Sequence, residues 1–291
     1  MDLEVCAYSL ESCMAARRGG ATRVELCASP FEGGTTPSGA AIRGASRILK
    51  EKSDLRALQL YVMVRPRGGD FLYTPEEFAQ MEEEIEFIKG FACDETLPGV
   101  DGVVFGLLHP DGSVDISRTR LLAERAKNGI YTNPVTGEVR SCAGLGVTFH
   151  RAFDMSSGAE ETVPFRVLED VIATGADRIL TSGFHPSAAA GKEVIRQLCL
   201  QAAGRIEIMA GCGVGAGNAR TLLETGADAL HMSGKATRES GMQYHNPLLS
   251  MGGIKDIPEY AVLYTDQNSV RAVKDIIENY SLGAAGNRTL L

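Results

Sequence analysis

The sequence predicts an α/β protein built as a single (β/α)8 barrel, the TIM-barrel arrangement. Three observations predict it. Short apolar runs alternate with longer amphipathic ones, and eight of each can be counted along the 291 residues. A chain of this length matches the roughly 250 residues such a barrel needs. Several helical runs end in one repeated stop signal: Gly19-Gly20-Ala21, Thr174-Gly175-Ala176-Asp177 and Thr225-Gly226-Ala227-Asp228. Glycine past a helix end, then a small residue and a strand, is the short connection of parallel βαβ units.

The strands are expected at Leu3–Tyr8, Thr22–Ala28, Leu58–Arg65, Gly102–Leu108, Gly146–Ala152, Arg178–Ser182, Ile206–Ala210 and Ala229–Ser233. Helices are expected over 10–19, 37–51, 75–91, 117–128, 160–174, 188–203, 215–225 and 268–280. Two segments depart from the repeat. Residues 129–143 carry Asn-Pro and Thr-Gly turn signals and read as an insertion before strand five, a hairpin or loop on the side away from the strands' carboxyl ends. Residues 234–267 form a long polar, Gly-rich loop after strand eight that would cover one barrel mouth. Neither suggests a second domain, so 1–291 is expected to be one.

Composition removes several functions. With 29 basic and 37 acidic side chains the formal net charge is −8, which argues against nucleic-acid binding or adhesion to an anionic membrane. No apolar run reaches the roughly 18–20 residues of a membrane span, and the acidic start MDLEVCAYSLES is no secretory signal. Seven cysteines, with no C-x-x-C pair, read as reduced thiols of a cytoplasmic protein. Zinc-hydrolase, nucleophile-elbow and Walker motifs are lacking too.

In a parallel barrel, function gathers at the carboxyl ends of the strands. Strands one and two both carry Glu-x-Cys, at Glu4-Val5-Cys6 and Glu25-Leu26-Cys27. Period two then points Glu4, Cys6, Glu25 and Cys27 into the barrel, where acids need partners. Strand three offers Arg65, and strand five ends in His150-Arg151-Ala152-Phe153-Asp154. This predicts a pocket in which Glu25 or His150 moves a proton, Asp154 orients the site, and Arg65 and Arg151 hold an anion. Glu4, Ser182, Gly211, Gly213 and Ser233 would complete the ligand contacts. The small residues after strands seven and eight suit a backbone anion site, or equally a tight turn. Cys6 and Cys27 read either as a thiolate pair for Cu(I) or as two small core residues.

These stretches together resemble the CutC family of copper homeostasis proteins. The resemblance rests on Glu4-Val5-Cys6, Arg23-Val24-Glu25-Leu26-Cys27, Glu32-Gly33-Gly34-Thr35-Thr36-Pro37-Ser38 and Val64-Arg65-Pro66-Arg67-Gly68-Gly69-Asp70-Phe71. It continues through Asp101–Gly106, Val147–Asp154, Leu180–Gly183 and Arg238–Met242. It implies a cytoplasmic barrel, a homodimer or homotetramer, and Cu(I) held linearly by Cys6 and Cys27. Cys212 departs from the family's glycine-rich turn, and non-glycine residues tolerate positive φ poorly. The alternative expectation is a barrel enzyme acting on a small anionic substrate, a phosphorylated one included.

Overall fold

A computed structural model describes residues 1–50, 57–93, 99–133, 135–157, 163–246, 248–249 and 259–288. Residue 51 of the second expected helix, 160–162 of the fifth, and parts of the 129–143 and 234–267 segments lie outside the described residues.

The eight expected strands close into a parallel barrel. They are β1 (Asp2–Ala7), β2 (Arg23–Leu26), β3 (Gln59–Met63) and β4 (Gly102–Phe105). After the short strands β5 (Ile130–Thr132) and β6 (Val139–Ser141) come β7 (Gly146–Phe149), β8 (Arg178–Thr181), β9 (Glu207–Ala210) and β10 (Ala229–Met232). The ring runs β1-β2-β3-β4-β7-β8-β9-β10 and returns to β1. Helices α1 (Leu10–Gly19), α2 (Gly39–Lys50), α3 (Pro75–Ala92), α4 (Ile116–Lys127), α5 (Val163–Thr174), α6 (Lys192–Ala202), α7 (Ala219–Leu223) and α8 (Gln267–Arg288) fill the connections. Among the described residues no helix is long and apolar enough to cross a membrane.

The repeated stop signal has a physical content. Thr174 Oγ1 donates to Val171 O (2.6 Å) and accepts from Ala176 N–H (3.3 Å), closing the last turn of α5. Gly175, at φ +82°, reverses the chain at a conformation that L side chains avoid. Asp177 Oδ2 then accepts the N–H of Val147 on the neighbouring strand (2.8 Å). Thr225, Gly226 and Asp228 repeat the device, with Asp228 taking Ile208 N–H at 2.8 Å. Each copy ends a helix and pins the start of a strand pair. Helix α3 is fixed at its other end by a capping box between Thr74 and Glu77, with Pro75 at the first helical position.

Period two sorts the strands. Leu3, Val5, Val24, Leu26, Leu60 and Val62 face the helices and are fully buried, each at 0% exposure. Cys6, Cys27, Tyr61, Met63 and Val104 form a separate cluster inside the barrel. Gly102 and Gly146 make room there, because a Cβ at either would enter the space of the Tyr61 ring. Beneath them lies a charged floor. Arg23, fully buried, binds Glu4, and Arg178 binds Glu207 at 2.5 Å. Both guanidiniums flank the Tyr61 ring, at 5.3 and 5.1 Å from its centre.

Three features depart from the sequence expectation. Residues 129–143 do form a hairpin, β5 paired antiparallel with β6. The buried Lys89 ammonium anchors it, donating to Arg125 O (3.0 Å), Asn128 Oδ1 (2.5 Å) and Ile130 O. Cys93, past the end of α3, is joined to Cys142 at the hairpin's base, so these two are not the reduced thiols expected. The stretch after β10 is also no plain loop. It forms β11 (Lys235–Glu239) and β12 (Ala261–Thr265), an antiparallel pair tied to α1 through Arg238 and Glu11 (2.6 Å). Strand β7 stops at Phe149, because His150 caps a 3-10 turn over Arg151–Phe153.

Candidate functional site

Neighbouring strands β10, β1 and β2 deliver one cluster to the carboxyl-terminal mouth. In the ladders, Glu4 lies beside His231 and Cys6 beside Glu25. Cys27 stands one residue past β2, its N–H bound to Ala7 O (3.0 Å). The two sulfurs are 3.8 Å apart, and the Cys27 thiol donates to Glu25 Oε2 at 3.6 Å. His231 Nδ1 donates to Glu4 Oε1 at 2.8 Å, which turns Nε2 toward Glu25 Oε2, 3.8 Å away. Glu4 Oε2 is held in turn by Arg23. One ligand atom from each of Cys6, Glu25 and Cys27 falls within 4.8 Å of the others, and the same is true of Glu4, Glu25 and His231.

Burial and neighbours set the charges. Burial alone would raise the Glu4 pKa, but Arg23 and His231 outweigh it and hold the carboxyl at about 2. Burial disfavours charge on His231, yet Glu25, Cys6 and Glu4 raise its pKa well above the usual imidazole value. Glu25 is pushed up, first by burial and then by Cys6, and its Oε1 is buried without a hydrogen-bond partner. Burial also pushes the Cys27 thiol up, while the hydrogen bond with Cys27 lowers Cys6. Two sulfurs this close share one negative charge, because a second would be buried beside the first.

Strands β3 and β7 supply the other sector. Arg65 is 4% exposed and donates to the carbonyls of Glu32 (2.7 Å), Gly34 (2.8 Å) and Gly69 (2.7 Å). The Phe71 ring lies 5.0 Å from its guanidinium carbon and 4.8 Å from the His150 ring. Burial, with Arg65 beside it, lowers the His150 pKa to about 3.

The predicted site residues divide accordingly. Cys6, Glu25, Arg65, His150, Arg151, Gly213 and Ser233 line one cavity of about 490 Å3 at the mouth. Glu4 and Cys27 lie just beneath it, fully and almost fully buried. Asp154 is a hub: it accepts from Thr181 Oγ1 (2.6 Å), Ser182 N (2.9 Å), Phe184 N (3.2 Å) and Arg151 Nε (2.9 Å). Ser182 is consumed in holding it (3.0 Å), and Gly211 packs against Leu180 and His231. Cys212 does adopt φ +80° and Gly213 φ +74°, so the turn keeps a glycine-like path in spite of the cysteine. The helix behind it, α7, has only five residues, too short a terminus for the expected backbone anion site.

His231 is the residue sequence reasoning passed over. The signal was present, because period two puts it on the same face as Ser233, which was counted in. Lys235 and Tyr8, also on the cavity wall and 4.9 Å apart, come from β11 and from the turn after β1.

Fold and site define a (β/α)8-barrel protein with a mixed donor cluster of two thiols, an imidazole and carboxylates at its carboxyl-terminal mouth. The sequence profile of the CutC family matches residues 1–236, and the chain belongs to that family. A CutC family protein of Bacteroides fragilis (strain YCH46) is 43% identical over 277 residues, covering 95% of this chain and 96% of that one. The copper homeostasis protein cutC homolog of Homo sapiens is 38% identical over 278 residues, covering 95% and 89%. Among solved structures, the CutC protein of Streptococcus agalactiae superposes with a TM-score of 0.66 at 30% identity, covering 80% of this chain and 99% of that one.

Proposed function

We propose that the chain serves copper homeostasis by holding Cu(I), as cargo, between Cys6 and Cys27. The observation that carries this reading is the Glu4–His231 hydrogen bond beside two thiols 3.8 Å apart. Carboxylate-anchored imidazole is the usual outer arrangement of a metal ligand, since it fixes the ring and strengthens its free nitrogen as a donor. Thiolates and imidazole are soft or borderline donors, and Cu(I) is a soft ion. Glu25 Oε1, buried and unpartnered beside them, adds a harder donor to the same site.

The sulfur spacing revises the expected coordination. With metal–sulfur bonds of roughly 2.3 Å, a linear ion would need sulfurs about 4.6 Å apart, whereas 3.8 Å corresponds to an angle of roughly 110°. A bent pair leaves room for a third donor: the Glu25 carboxyl is the group within 4.8 Å of both sulfurs, and His231 Nε2, 3.8 Å from Glu25 Oε2, is the softer donor that reaches the ion once Glu25 moves aside. Bound copper would neutralise the charge that the two sulfurs cannot both carry alone. The same reading puts the chain in the cytoplasm, where Cys6 and Cys27 stay reduced; the Cys93–Cys142 bond is of a kind such a compartment rarely keeps. The homodimer or homotetramer expected of the family belongs to the same proposal.

The alternative of an enzyme acting on a small anion finds less support for its acid–base half. His150 is held neutral, and Asp154 is saturated with hydrogen bonds.

Titration of the metal-free protein with Cu(I) against a competing chelator tests the reading. We expect one equivalent per chain. Because Cys27 and His231 both keep a proton in the empty site and both must release it to bind the ion, apparent affinity should rise about a hundredfold per pH unit through the neutral range. An affinity that ignores pH, or no uptake, contradicts the reading.

A further inference from the structure

We propose that the sector of the mouth formed by β3 and β7 binds the oxyanion of a small metabolite, a carboxylate or a phosphate, with Arg65 Nε–H and His150 Nε2–H as donors. This goes beyond copper and does not depend on it.

Arg65 is the first argument. Three guanidiniums in or at the mouth of the barrel have carboxylate partners: Arg23 has Glu4, Arg178 has Glu207 (2.5 Å) and Arg151 has Asp154 (2.9 Å). Arg65, 4% exposed, has backbone carbonyls for partners and the Tyr73 hydroxyl as a near neighbour, and among the described residues it forms no ion pair. A buried cation without a counter-charge is costly. Its three carbonyl contacts use both terminal nitrogens and fix the plane of the group, and Nε is left buried with no partner.

His150 is the second. Its Nδ1 accepts from Ala152 N–H at 3.2 Å, so in the neutral ring the hydrogen sits on Nε2. That Nε2–H is likewise buried without a partner. The residue is therefore a fixed donor beside a fixed cation, a pairing that recognises an anion and does not remove a proton. Both side chains line the same cavity, with Lys235 also on its wall. The Phe71 ring lies against both, and a ligand reaches the two donors by displacing it. Glu32 is an acid on this side, but its side chain is at the exposed rim and its carbonyl, not its carboxylate, holds Arg65. At about 490 Å3 the cavity exceeds what a bare ion fills, which points to a metabolite carrying the oxyanion.

The test is calorimetric titration of the metal-free protein with inorganic phosphate and, separately, with malonate. Binding of phosphate alone assigns a phosphate ester, and binding of malonate alone a carboxylate. Either ion should bind with a dissociation constant of about 10 mM or tighter, and neither binding at about 100 mM overturns the proposal. Arg65→Met should weaken binding at least about tenfold, and His150→Phe, which keeps an aromatic ring, about three- to tenfold. Arg65 also ties down residues 32–34 and 69, so if Arg65→Met does not fold, His150→Phe decides. His150→Phe should take up Cu(I) like the parent. Unaltered anion binding in that variant sinks the proposal and leaves the copper reading standing.

Discussion

Cys6→Ser/Cys27→Ser is expected to abolish high-affinity Cu(I) uptake. The double change keeps the shape of both side chains, makes them more polar and removes the two soft donors, leaving His231 and two carboxylates, a harder set that Cu(I) does not favour. Cys6 and Cys27 are 5% and 2% exposed, so the serines remain inside the barrel, and each hydroxyl has a partner within reach: Glu25 for position 27 and His231 for position 6. Folding should therefore survive, and loss of copper with retention of the parent's circular dichroism is the expected pair of results. Competition with a Cu(I) chelator measures it. A double variant that still takes up one equivalent with the parent's affinity would place copper elsewhere on the chain.

The second large effect falls on stability. Glu4→Gln should cost about 3–5 kcal/mol, because it leaves the buried Arg23 cation without its main partner. Asp2 at 3.4 Å and Gln59 at 3.3 Å remain, but Asp2 is 43% exposed and Gln59 is neutral. The same carboxylate gives the fold an acid-sensitive term. Its folded pKa of about 2 lies below the ordinary 4.5. The stabilisation is thus complete above the ordinary value and lost as pH falls toward about 2. Urea denaturation of the metal-free protein gives both quantities. The parent should weaken below about pH 4.5 more steeply than the variant, which has no group there to protonate. A Glu4→Gln protein within 1 kcal/mol of the parent would mean that Arg23 does not need its partner. By contrast Glu11→Gln, which breaks the exposed pair with Arg238, should be nearly neutral.

Much of this was readable before any coordinates. The Thr-Gly-Ala-Asp repeats are local, and each performs its task through hydrogen bonds within a few residues and one neighbouring strand, so they marked the βα rhythm directly. Glu-x-Cys on two successive strands was readable because period two leaves no choice of face once the valine and leucine are buried. What escaped depended on distant partners. His231 looks like any strand histidine until β10 closes against β1 and brings it to Glu4, 227 residues away. The Cys93–Cys142 pair spans 49 residues and lies where Lys89 also ties the hairpin to α3. The β11–β12 ribbon was hidden because its strands flank a long intervening segment. The role proposed for His150 moves away from the sequence expectation for a different reason. Its sequence neighbours Arg151 and Asp154 suggested a proton carrier, but Asp154 turns to β8 and the Ala152 N–H takes the nitrogen a base would use.

The central claim is that copper sits in a bent site of two sulfurs with an imidazole beside them. X-ray absorption spectroscopy of the Cu(I)-loaded protein tests it most directly. The account predicts two sulfur neighbours at roughly 2.3 Å and at least one nitrogen or oxygen neighbour, with the imidazole signature lost in His231→Ala. A spectrum with only nitrogen and oxygen around the metal, or an unchanged spectrum in Cys6→Ser/Cys27→Ser, would contradict it.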